Sequence, residues 1–152
     1  MLIQTDPPPA EPVTLAEAKT FLRVDHDHED GLIAMLVASA RDRIETLLGV
    51  AMIEREFRYA AESGTVVLPR WPVTDVQGFA PRLAVRPVCL QVDAPTTIIF
   101  TAGYGPTPSD VPAPLRQAML LLVSYGYEHR DSAEGLPLMV QALIAPYRVV
   151  TP

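Results

Sequence analysis

The sequence predicts an α+β fold that is mainly α. A core of about four helices carries a small antiparallel β subdomain inserted between the second and third helix, with extended termini. Three observations lead there. Apolar residues recur at helical spacing within residues 13–50 and again within 111–145. Between them, residues 51–105 hold short runs of β-branched and aromatic residues. The 16 prolines cluster at 7–9, 69–87, 106–114 and near the C-terminus, where a residue that lacks a backbone donor marks breaks between elements. With 152 residues, 49% hydrophobic and 20% charged, one domain with a real core is expected. It divides into an N-terminal arm (1–12), a helical core (13–50 and 111–145), a β insertion (51–105) and a C-terminal tail (146–152).

The arm has no periodicity and contains Pro7-Pro8-Pro9, which favours polyproline or strand geometry. Thr14-Leu15-Ala16-Glu17 reads as a capping box: the Thr14 hydroxyl accepts from the amide of residue 17, and Glu17 reaches back to the amide of Thr14. A short helix over Leu15–Leu22 follows, burying Leu15, Ala18 and Leu22. The acids of Asp25-His26-Asp27-His28-Glu29-Asp30 suit the positive end of a second helix starting near Asp27 or His28. That helix runs to Leu48, with Ile33, Val37, Ala40, Ile44 and Leu47 as its buried stripe and Gly49 after its end.

Strands are predicted over Glu54–Tyr59, Thr65–Leu68, Val73–Phe79, Val88–Val92 and Thr96–Phe100, with a turn at Ser63-Gly64. Gly103-Tyr104-Gly105-Pro106 is a turn. The third helix begins near Pro112 and buries Leu115, Ala118, Met119, Leu122 and Tyr125, while His129 and Arg130 complement its negative end. A last helix over Leu138–Ile144 ends at Pro146, and the tail Pro146–Pro152 stands outside any helix. No internal repeat is visible.

The chemistry these residues exclude is as informative. Lys plus Arg is 12 against 18 for Asp plus Glu, a formal charge of −6, which argues against a surface built to grip phosphates or anionic lipid. No apolar run approaches the roughly 20 residues a membrane span needs, and Met1–Pro9, with Asp6 and no base, is unlike a signal peptide. The single cysteine, Cys89, excludes an intrachain disulfide and is expected to be a buried, inert strand thiol. Read as a calcium loop, Asp25, Asp27 and Glu29 fit, but Asp30 stands where glycine is needed and Leu36 where the bidentate acid belongs. His26 and His28 lack the spacing that puts two imidazoles on one helix face. No nucleophile elbow or P-loop is present, and Gly103-Tyr104-Gly105 lacks the third glycine of a dinucleotide fingerprint. No catalytic site, metal or cofactor is therefore assigned. Arg41, Arg43, Arg55 and Arg58 interleave with Glu45, Glu54 and Glu56, which fits a solvated face or pairs across a subunit contact.

The order of several short motifs is distinctive. Pro12-Val13-Thr14-Leu15-Ala16-Glu17-Ala18-Lys19, Leu22-Arg23-Val24-Asp25 and a helix ending Ile44-Glu45-x-x-x-Gly49 resemble the N-terminal signature of the head–tail connector (adaptor) proteins of long-tailed phages and phage-derived gene transfer agents. Val67-Leu68-Pro69-Arg70-x-Pro72-Val73 is similar to that family's strand–turn motif. Phe100–Gly105, Val111–Ala118 and Tyr127-Glu128-x-Arg130 are similar to its C-terminal half. The resemblance implies a non-enzymatic virion protein that assembles in the bacterial cytoplasm into a ring, usually dodecameric, at the particle neck. Its expected partners are further copies of itself, the portal protein above, and a stopper or tail-terminator below. DNA would pass through without sequence-specific binding, and no membrane is involved.

In relatives the segment after the last helix reaches the portal, which assigns portal contact to Pro146, Tyr147, Arg148, Val149, Val150 and Thr151. Candidates for the contact between subunits are Arg41, Arg43, Glu45, Arg116, Tyr127 and Arg130. Two other readings compete: a cytoplasmic regulatory module that binds one protein partner through its third helix, and a metal-dependent factor using the acid and histidine cluster at 25–30.

Overall fold

The computed structural model describes residues 1–81, 83, 85–130 and 135–148. These form helices α1 (Leu15–Leu22), α2 (Asp30–Leu48), α3 (Ala113–Glu128) and α4 (Leu138–Ile144). The strands are β1 (Leu2–Thr5), β2 (Arg55–Ala61), β3 (Gly64–Val67), β4 (Val73–Val76), β5 (Cys89–Val92) and β6 (Thr96–Ala102). Single 3₁₀ turns lie at Pro108–Asp110 and Ala145–Tyr147.

The α1 N-terminus is capped by the box predicted for it. Glu17 N donates to the Thr14 hydroxyl at 3.1 Å and Thr14 N to the Glu17 carboxylate at 2.9 Å. Helix α2 starts later than expected, at Asp30, because Asp27 is drawn to Lys19 and forms part of the turn before it. Its buried residues include Ile33, Val37, Ala40 and Ile44, as predicted, but the stripe ends on Glu45 and Leu48 instead of Leu47. The cause is the return of the chain at Gly49: the buried segment Val50–Ile53 covers the side of the helix that carries Glu45 and Leu48. Helix α3 buries Leu115, Ala118, Met119, Leu122 and Val123, leaving Tyr125 partly covered, where it stacks on His129 with ring centroids 4.4 Å apart.

The strands lie near their predicted positions, but their pairing adds an element. One four-stranded antiparallel sheet has the order β1-β2-β6-β4, and β3 and β5 form a separate pair. Strand β1 comes from the N-terminal arm, so the sheet is not built from the insertion alone. The Ser63-Gly64 turn joins β2 to β3 without making a hairpin, since each pairs elsewhere. Register places Phe57 opposite Phe100, stacked at 5.4 Å in the centre of the sheet core. Cys89 is in β5 as predicted but is exposed. Leu90 and Val92 point inward, and the two-residue period of a strand then turns Cys89 and Gln91 out.

Two apolar clusters result. One gathers the four helices with Met52 and Ile53, and the other lies among the strands around Phe57, Ile98 and Phe100. The tail is not wholly irregular: Ala145–Tyr147 makes a 3₁₀ turn, and Tyr147 packs against the helical cluster.

Candidate assembly interface

Polar residues near the two clusters form three networks, and these decide which side chains are left for a partner. The first is interior. Glu45 is 2% exposed, and its carboxylate accepts from Arg55 Nη2 at 2.9 Å, Arg55 Nη1 at 3.2 Å, Arg41 Nη1 at 3.2 Å and Met52 N at 2.8 Å. Arg41 Nε also donates to Glu11 at 2.8 Å. One carboxylate thus ties α2 to β2, to the buried connection between them and, through Arg41, to the arm. A buried charge survives only when paired and hydrogen-bonded, and this one is.

The second network closes the base of the arm. Arg116 on α3 donates to the Pro12 carbonyl at 3.0 Å and to Glu17 at 2.5 Å. The Thr14 amide, followed by Arg116, holds the Glu17 carboxyl below the usual carboxylate range. The third network joins the C-terminal end of α3 to the start of α2. The Tyr127 hydroxyl and Arg130 both donate to Glu29, and the Arg130 guanidinium lies 5.5 Å from the Tyr127 ring centroid. Those two donors, the hydroxyl foremost, depress the Glu29 pKa, and the same hydrogen bond raises that of Tyr127.

The predicted contact residues therefore separate. Arg41, Glu45, Arg116 and Tyr127 direct polar atoms inward to this chain, and Glu45 is too deep to be presented to a neighbour. Arg43 is exposed, and Arg130 is exposed although it donates to Glu29 of this chain. In the tail, Pro146 and Arg148 are exposed and Tyr147 is half-buried, while Val149, Val150 and Thr151 lie outside the described residues. The Arg41–Glu45 pair was visible as an i, i+4 spacing, but no sequence signal ties either to Arg55.

Several surface features point outward. Leu138 and Met139 at the head of α4 are 82% and 62% exposed. On the α1 side, Ala16, Thr20, Phe21 and Leu120 line a shallow apolar depression. Uncovered apolar surface of this kind marks contact sites. The first two amides of the Gly103–Gly105 turn are spent on backbone: Gly103 N donates to the Pro72 carbonyl at 2.8 Å and Tyr104 N to the Met52 carbonyl at 3.2 Å. Among the described residues no group of three or more His, Cys, Asp or Glu is placed to hold a metal ion, and no helix is long and apolar enough to cross a membrane.

Residues 12–69 match the family model described as the phage gp6-like head-tail connector protein. The whole chain matches a chain from the neck of an empty gene transfer agent particle, resolved with C6 symmetry. The two are 29% identical with a TM-score of 0.82, over 100% of this chain and 97% of that one. The chain is thus similar to head–tail connectors over residues 12–69 and to a particle-neck chain over its whole length. Two further solved chains match this one over 100% of its length and 97% of theirs. One is from the virion of a native gene transfer agent particle, at 27% identity and TM-score 0.78. The other is from the neck of a native particle resolved with C12 symmetry, at 28% and 0.77. No curated protein shows significant similarity to this chain.

Proposed function

We propose that this connector is the repeated subunit of a closed ring in the particle neck. It extends the DNA channel beneath the portal and holds the next neck protein, a stopper or tail terminator, by shape and adhesion. The observation that carries the reading is the match of the entire fold to a neck chain at TM-score 0.82. The charge agrees with it. A formal charge of −6 gives a wall that repels DNA and lets it slide past. A ring contact is heterologous, so one face of each copy meets a different face of the next. Arg43 and Arg130 are the predicted contact residues best placed for such faces, with Arg41, Glu45, Arg116 and Tyr127 shaping them from within.

Portal contact is assigned to the segment leaving α4. Tyr147 anchors it on the helical cluster. The contact itself is assigned to Arg148, which is exposed, and to Val149, Val150 and Thr151 after it in the sequence. Deleting residues 148–152 is expected to leave a soluble protein with an unchanged melting temperature that no longer joins the portal. Producing cells should then release heads without tails. Tailed particles at wild-type numbers from that deletion would show that the tail assignment is wrong.

A further inference from the structure

A groove of about 250 Å³ lies at the C-terminal end of α2, where the helical core meets the strands. Leu47, Gly49 and Val67 are among its lining residues, and Arg70, Trp71 and Arg86 supply its polar groups. Its donors are unusual in this molecule. The Arg86 guanidinium lies 4.6 Å from the Trp71 ring centroid, and among the described residues no carboxylate pairs with Arg70 or Arg86. Arg70 Nη1 donates only to the neighbouring Pro69 carbonyl, while Arg70 Nε and Trp71 Nε1 are buried without a hydrogen-bond partner. Burial pushes the Arg70 pKa down, against the opposing pull of Glu45 and Asp42. A planar guanidinium and an indole N–H beside an aromatic face suit a carboxylate carried on an extended segment.

The chain carries exposed carboxylates on a bend at the other end of the same helix. The joint before α2 presents Asp25 and Asp27, both exposed, and the Asp27 side chain stays 88% exposed although it meets Lys19. Helix α2 has 19 residues, so groove and joint are separated by about 28 Å at 1.5 Å per residue. They cannot meet within one copy. Two complementary patches at opposite ends of one rigid helix are the elements of a head-to-tail contact. We propose that the Arg70–Trp71–Arg86 groove receives the Asp25–Asp27 joint of the neighbouring copy, forming a subunit contact of the ring. This rests on the ring reading above and adds the surfaces and their register.

The test is a cysteine pair in assembled particles. With Cys89→Ser removing the native exposed thiol, Asp25→Cys and Arg86→Cys are introduced together and the particles are oxidised. A ladder of covalently joined connector copies on a non-reducing gel is the expected result, absent from each single variant. Electron microscopy of the necks of the same particles separates the two levels of the argument. A symmetric ring of copies without a disulfide ladder overturns the groove–joint contact and leaves the ring standing. Necks with neither a ring nor a ladder overturn both. A disulfide-independent check is charge exchange: Arg86→Glu and Asp25→Arg should each reduce tailed-particle yield, and the double variant should restore it. Singles that assemble like wild type would also overturn the contact.

Discussion

Replacing Glu45 by alanine is expected to destabilise the protein by about 3–5 kcal/mol, the usual cost of removing one partner from a buried ion pair. The size follows from what the carboxylate leaves behind. The Arg55 side chain is only 8% exposed and gives both terminal nitrogens to Glu45, at 3.2 and 2.9 Å. The Met52 amide, on a fully buried residue, loses its acceptor at 2.8 Å as well. Arg41 suffers less, because Glu11 remains 2.8 Å from its Nε. For a chain of this length the loss corresponds to a fall in melting temperature of about 6–20 °C. Thermal and urea unfolding followed by circular dichroism measure it. The companion variant Glu45→Leu with Arg55→Met replaces the pair by apolar volume, and should recover most of the loss, since such exchanges are often neutral or better. A Glu45→Ala protein less than about 1 kcal/mol below wild type would refute the reasoning, because a carboxylate truly cut off from water cannot be removed so cheaply.

Three other substitutions probe the same architecture. Gly103→Ala places a Cβ against the backbone of Glu54 at φ +148°, and is expected to cost more than about 3 kcal/mol or to yield insoluble protein; a melting temperature like wild type would mean that the close approach is absent. Thr14→Ala removes the acceptor for the Glu17 amide and should cost about 1 kcal/mol, read from the urea midpoint at constant m-value. Glu17→Gln should show a pH-dependent difference from wild type. The folded pKa of Glu17 lies below its unfolded value, so its contribution is present above the unfolded pKa and is lost as pH falls through the folded one. The gap in melting temperature should therefore close on acidification, and a gap that stays constant with pH would contradict the capping role.

The parts of this fold that could be read in the sequence are those whose causes are local. The bounds of α1 and α4 are as predicted because a capping box fixes one start and prolines flank the other helix. Strand positions were legible from proline punctuation and β-branched runs. Their partners were not. Nothing within residues 1–12 says that Leu2–Thr5 will pair with β2, and nothing at the Ser63-Gly64 turn says that β3 will pair with β5 rather than with β2. Leu47 and Cys89 were placed on the wrong side of the surface for the same reason: helical or strand period gives relative phase, while the face that is covered depends on what packs there. Arg70, Trp71 and Arg86 sat in the sequence as parts of a proline-broken strand region, and only their convergence on one groove gives them a role.

By itself, then, the order of residues determined the element types, most of their limits, the acidic character and the family likeness, since each depends on neighbours along the chain or on composition. Strand pairing, the depth of Glu45 and the donor-lined groove at the end of α2 were decided by tertiary structure. Each depends on residues tens of positions apart meeting, and on the water that meeting expels.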